Sequence, residues 1–130
     1  MSDTAPRTRV LLVDDSTIVR RYIRDALERA EFAVEEAING VAALEKILVQ
    51  SFDLLVVDVN MPKMDGYAFL RALRGRTDAH AAIPVLMTST EAKPRDFAAA
   101  EAAGANYYLV KPVSQDDLAM HAKALTGRSP

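Results

Sequence analysis

The sequence contains no cysteine, which excludes disulfides and Cys-ligated zinc or iron–sulfur sites. Two histidines cannot build a His-rich metal centre alone. A dominant sign of charge is also missing. Sixteen Lys and Arg against eighteen Asp and Glu leave a formal net charge of -2, with an isoelectric point near 5.7. That balance exerts no strong pull toward nucleic acid or an anionic membrane, so neither is expected as a partner. No apolar run approaches the roughly 20 residues that cross a bilayer. Met1 to Thr8 lacks the apolar middle of a signal peptide and reads as a short tail. A cytoplasmic location is the corresponding expectation. The 130 residues suit one domain. A chain of this size buries about two-thirds of its unfolded surface, enough for a core without staples.

Apolar runs alternate with helical patterns. Arg9 to Val13 is a short apolar run that stops at Asp14-Asp15, as suits a strand covered on both faces. Ser16 to Ala30 carries Ile18, Val19, Tyr22, Ile23, Ala26, Leu27 and Ala30 on one side, an amphipathic helix. Ala33 to Ala37 is a weaker strand. Val41 to Val49 is helical, with Leu44 and Leu48 in register. Leu54 to Val57 is a second buried run ending at Asp58, and Asn60 to Gly66 is loop. Asp65 caps a helix over Gly66 to Arg74. Pro84 to Thr88 is a third run, with proline tolerated only at its start. Lys93 to Ala103 is an alanine-rich helix closed by Gly104. Tyr107 to Val110 is the last strand, ending at Lys111-Pro112. Ser114 caps a final helix with Leu118, Ala122 and Leu125 inward. Five βα units predict an α/β fold, a doubly wound five-stranded parallel sheet of order 2-1-3-4-5.

In such sheets ligands sit beyond the carboxyl ends of the strands. Asp14 and Asp15 stand at the end of strand 1, Asp58 at strand 3, Thr88-Ser89-Thr90 at strand 4 and Lys111 at strand 5. Carboxylates gathered this closely do not all stay ionised cheaply without a cation. A hard divalent ion resolves the conflict, and Mg²⁺ is the natural choice because it keeps waters and bridges phosphates. The set therefore favours phosphoryl chemistry, with Asp58 as a carboxylate nucleophile and Lys111 neutralising the transferred group. Ser89 is placed to donate a hydrogen bond to that group. Each residue alone has a plainer reading. Paired aspartates before a helix serve as caps, hydroxyls after a strand form turns, and a lone lysine is solvated. Their convergence on one sheet edge favours the chemical reading. His80 and His121 lie apart from it, and Arg20, Arg21 and Arg24 read as a solvated helix face.

These residues carry a resemblance. Val13-Asp14-Asp15-Ser16, Asp58 to Gly66, Ser89-Thr90-Glu91-Ala92 and Val110-Lys111-Pro112 resemble, in order and separation, a response-regulator receiver domain over Arg9 to Leu125. The resemblance implies a flavodoxin-like fold. Chemotaxis receivers are a standing example of this strand order, so the site's placement matches what is already known of that class. It implies that Asp58 accepts a phosphoryl group from the phosphohistidine of a sensor histidine kinase or phosphotransfer protein. Asp15 would bind Mg²⁺ directly (Mn²⁺ can substitute), Asp14 through a water, and Asp58 and the Asn60 carbonyl would complete the ligands. Lys111, Ser89 and Thr90 would contact the phosphoryl group. Ser89 and Tyr108 would form the switch, and the Lys111–Pro112 bond would be cis.

The chemotaxis type is the nearest pattern, through Asn60 and Glu91, which flank the path of water and imply fast self-dephosphorylation. Ser89 in place of threonine, Thr90, Val113, and a less basic face at Pro94, Glu101 and His121 depart from it. Phosphorylation is expected to draw Ser89 inward and let Tyr108 rotate, reshaping the helix 4, strand 5 and helix 5 face for a target protein. Phe97 is the only large apolar side chain of helix 4. This fits either loose anchoring or a close alanine-mediated approach to the sheet. The expected organisation is a tail over residues 1–8, a receiver domain over 9–126, a tail over 127–130 and no output domain, as a monomer. A phosphate carrier or sink in a phosphorelay is the alternative. An aspartyl phosphatase is less well matched, because Asn60 stands where such enzymes place a second acid. The chain is thus expected to be a regulatory phospho-acceptor rather than an enzyme.

Overall fold

The computed structural model describes residues 7–128. Of the two expected tails, residues 1–6 and 129–130 lie outside the described residues. The elements run β1 (Arg9–Val13), α1 (Thr17–Arg29), β2 (Ala33–Ala37), α2 (Gly40–Val49), β3 (Leu54–Asp58), α3 (Gly66–Arg74), a 3₁₀ turn (Ala79–Ala82), β4 (Val85–Ser89), α4 (Pro94–Ala103), β5 (Tyr107–Val110) and α5 (Gln115–Leu125). All strand pairs are parallel and the order is β2-β1-β3-β4-β5, the doubly wound α/β sheet the alternation predicts.

Strand alternation divides the core between two faces. Val10, Leu12, Leu54, Val56 and Leu86 pack against Ile23, Ala26 and Leu27 of α1 and Leu118 and Ala122 of α5. Leu11, Val13, Leu55, Val57, Val85 and Met87 face Ala43 and Ile47 of α2, Phe69, Leu70 and Leu73 of α3, and Ala100 and Ala103 of α4. Burial on both sides explains why the strands read as unbroken apolar runs. Short polar side chains start the helices. Ser16, Asn39, Asp65 and Ser114 each accept a hydrogen bond from the backbone amide three residues on. Gly104 closes α4 with a left-handed φ of 102°.

Register aligns the strand ends. Val13 lies beside Val57, Asp58 beside Thr88, and Ser89 beside Val110. Three sequence expectations need correction. Ile18 and Tyr22 are exposed, because the first turns of α1 overhang the carboxyl edge, where the strands have ended. Leu48 is 62% exposed, because the inward line of α2 runs through Gly40, Ala43 and Ile47. Arg20 is not solvated; its side chain is only 12% exposed and is bonded on three sides. No helix among the described residues is long and apolar enough to cross a membrane.

Candidate functional site

The carboxyl edge of the sheet gathers the residues that the sequence scatters. Asp14 follows β1 directly and is buried. Its carboxylate accepts from the Ser16 amide at 2.9 Å, and its own amide donates to the Ala37 carbonyl at 3.2 Å. Asp58 ends β3 and is buried as well, whereas Asp15 is exposed. One carboxylate oxygen from each of the three lies within 4.8 Å of the others. Lys111, just past β5, reaches between two of them. Its Nζ donates to Asp58 Oδ1 at 3.0 Å and to Asp14 Oδ2 at 3.1 Å. The Lys111 amide donates to the Ser89 carbonyl at 2.7 Å, which ties it to the end of β4. The Lys111–Pro112 peptide is cis.

The electrostatics follow from this crowding. Burial pushes the Asp58 carboxyl above the ordinary aspartate range; Lys111 pulls it back, and the neighbouring Asp14 charge raises it further. Burial disfavours the Lys111 ammonium. Its hydrogen bond to Asp58 and the negative charge of Asp14 outweigh that and hold its pKa above the usual lysine value. One lysine cannot balance three ionised carboxylates, so the donor set retains excess negative charge. Three hard oxygen donors converging on one point, one of them open to solvent, fit a small divalent cation such as Mg²⁺.

Gly66 controls the approach of α3 to the site. Its amide donates to the Val59 carbonyl at 2.8 Å. A Cβ there would lie 2.5 Å from the Asp58 carbonyl oxygen and 2.8 Å from Val59 Cα. Only glycine lets the helix start this close behind Asp58.

The remaining predicted residues occupy different depths. Ser89 is fully buried, and its Oγ accepts from the Glu91 amide at 3.1 Å. The buried Tyr108 donates its hydroxyl to the Glu91 carbonyl at 2.9 Å and tilts against Phe97, ring centroids 4.8 Å apart. Ser89 and Tyr108 are thus joined through the two ends of one residue's backbone, while the Glu91 side chain faces solvent. Asn60 is exposed in the loop after β3, and its backbone amide favours the ionised form of Asp58. Thr90 is exposed at a cavity of about 460 Å³ that it shares with Lys111, Thr88, Ile18, Tyr22 and Val113. His80 lies against Asp78, and His121 stacks on Tyr107 at 4.3 Å, neither of them in the carboxylate cluster.

One pair of residues escaped the sequence reading. Arg20 and its partner Glu36 brace the β1–α1 loop from behind. The only sequence signal was an arginine one turn into the helix that follows the aspartate pair, which also describes an ordinary solvated face. Thr88, expected at the end of strand 4, lies beside Asp58, and its hydroxyl is buried without a protein partner among the described residues.

The fold and the acidic edge define a class. The chain belongs to the response regulator receiver domain family, whose model matches residues 10–123. Among curated relatives, the Transcriptional regulatory protein ResD of Bacillus subtilis is 34% identical over 98% of this chain and 51% of its own length. A Gliding motility regulatory protein of Myxococcus xanthus is 44% identical over 82% of this chain, which is 14% of that protein. The chain therefore spans about half of the first of these relatives and a small part of the second. Among solved structures, the chemotaxis response regulator CheY4 of Vibrio cholerae matches with a TM-score of 0.85 and 35% identity, covering 92% of this chain and 98% of that one. A response regulator from Chloroflexus aurantiacus gives 0.89 and 31%, covering 95% and 100%. As a receiver domain, the chain is a regulatory module of two-component signalling.

Proposed function

We propose that this chain accepts a phosphoryl group on Asp58 from the phosphohistidine of a sensor histidine kinase or phosphotransfer protein, and signals by binding a target protein in its phosphorylated form. The observation that carries this reading is the Lys111 ammonium held between Asp14 and Asp58 beside the exposed Asp15. An Asp58 oxygen attacks phosphorus, the O–P bond forms as the N–P bond breaks, and the imidazole leaves. Lys111 stays charged throughout and neutralises the oxygens of the group in flight. Asp14, Asp15, Asp58 and the Asn60 carbonyl would hold Mg²⁺, which would supply further charge neutralisation to the transferred group.

Ser89 and Thr90 then contact the phosphoryl group. Drawing the Ser89 hydroxyl away from the Glu91 amide loosens the loop that Tyr108 also holds. This connects the reaction to the α4, β5 and α5 face, where Phe97, Tyr107 and Met120 stand exposed. A motility pathway fits best, supported by the likeness to CheY4 and to the Myxococcus protein and by Asn60 and Glu91.

Incubation with acetyl phosphate and Mg²⁺, followed by mass spectrometry of the intact protein and its peptides, tests the reading. One phosphoryl adduct per chain, located on Asp58 and lost in Asp58→Asn, is expected. Sustained turnover of an added phosphoester without a protein adduct would instead identify a phosphatase.

A further inference from the structure

Arg20 sits one turn into α1, where a solvated guanidinium is the ordinary outcome. Here Nη1 donates to the Asp14 carbonyl at 2.6 Å, Nε to Glu36 Oε1 at 2.7 Å and Nη2 to Thr17 Oγ1 at 3.4 Å. Glu36 is the penultimate residue of β2, and its other oxygen accepts from Arg24 Nη1 at 2.6 Å. The rigid fork of Arg20 is therefore pinned from the sheet side and closes on one backbone oxygen. That oxygen belongs to the peptide joining Asp14 to Asp15. Asp14 is already fixed by Lys111 and by the Ser16 amide. The Asp15 carboxylate is exposed, and among the described residues no group hydrogen-bonds to it. Its direction is set by the backbone that carries it, and the Asp14–Asp15 peptide plane is the part of that backbone Arg20 grips.

We infer that Arg20 is a positioning residue for the acidic site, aiming the Asp15 carboxylate at a divalent cation by clamping the Asp14–Asp15 peptide against Glu36. The inference rests on reading Asp14, Asp15 and Asp58 as a cation site. Groups behind a ligand that fix its orientation commonly matter for affinity as much as their distance from the metal disguises.

Charge and geometry predict opposite outcomes, which makes the inference testable. Arg20 is a cation beside a cation site, so deleting its charge would tighten Mg²⁺ binding if electrostatics alone mattered. If positioning dominates, Arg20→Gln and Arg20→Lys both weaken it, because neither can hold the carbonyl and Glu36 in one rigid fork. Arg21→Ala removes the same charge from the exposed neighbouring position and serves as control. Isothermal titration calorimetry with MgCl₂ on the unphosphorylated chain reads the effect, with thermal unfolding recorded for each variant. The expected result is an affinity loss of roughly tenfold or more in both Arg20 variants and no loss in Arg21→Ala. Unchanged or tighter Mg²⁺ binding in folded Arg20→Gln or Arg20→Lys overturns the inference while the cation site stands. Absence of Mg²⁺ binding in the parent chain overturns the cation site and the inference with it.

Discussion

Asp58 shows how one side chain can be costly to the fold and useful to the site. Its pKa is raised, so folding favours its protonated form. The stability linked to it is fully present below the unfolded value, near 3.8, and is lost as pH rises through the higher folded value. At neutral pH the ionised group is therefore a net burden. Asp58→Asn is expected to raise stability near neutrality in magnesium-free buffer, with the gain shrinking as the solution is acidified. Urea unfolding over a pH series checks this, and a gain that grew toward acid would contradict the sign. At this scale the carboxylates and Lys111 were legible in the sequence because charged residues rarely end three buried strands of one sheet by chance. Arg20 was not, since a backbone carbonyl and a glutamate sixteen residues away hold it.

Elements deliver these side chains through their ends. β1, β3, β4 and β5 stop within two residues of the end of their apolar runs, and caps at Ser16, Asn39, Asp65 and Ser114 start the helices. These signals are local, so the sequence expectations for the element bounds agree to within about two residues with the structure. Helix faces were less legible: Ile18, Tyr22 and Leu48 satisfy the periodicity but meet no sheet. Gly66 marks the tightest junction between an element and the site. Gly66→Ala drives a methyl group into the Asp58 carbonyl and the Val59 backbone. A loss on the order of 1–3 kcal/mol is expected by chemical denaturation, with slower labelling of Asp58 by acetyl phosphate because its strand end must shift. Full stability in that variant would show that α3 can retreat freely.

Across the whole molecule, two apolar layers hold the sheet while polar clamps close its perimeter. Arg74, at the end of α3, is the most connected of these. It donates to the carbonyls of Ala81 (2.9 Å), Ile83 (2.7 Å) and Gly104 (2.8 and 3.0 Å), and to Asn106 Oδ1 at 2.9 Å. Burial lowers its pKa from the ordinary arginine value. It joins α3 to both the entrance of β4 and the α4–β5 connection, far from the acidic edge. Arg74→Ala leaves several half-buried acceptors unpaired, and a loss of about 2–4 kcal/mol is expected in urea unfolding. Mg²⁺ affinity should remain unaltered, since no clamp of Arg74 touches the β1–α1 or β3–α3 loop.

The order of residues was enough to set the alternation of elements, the strand order expected of it and the chemical identity of the acidic edge. Each follows from local pattern and residue type under the burial that a two-faced sheet imposes. Packing in three dimensions set which oxygens meet the lysine, which helix residues turn away from the core, and which arginines serve as clamps. Those outcomes depend on register and on backbone carbonyls, which every residue possesses and no sequence distinguishes.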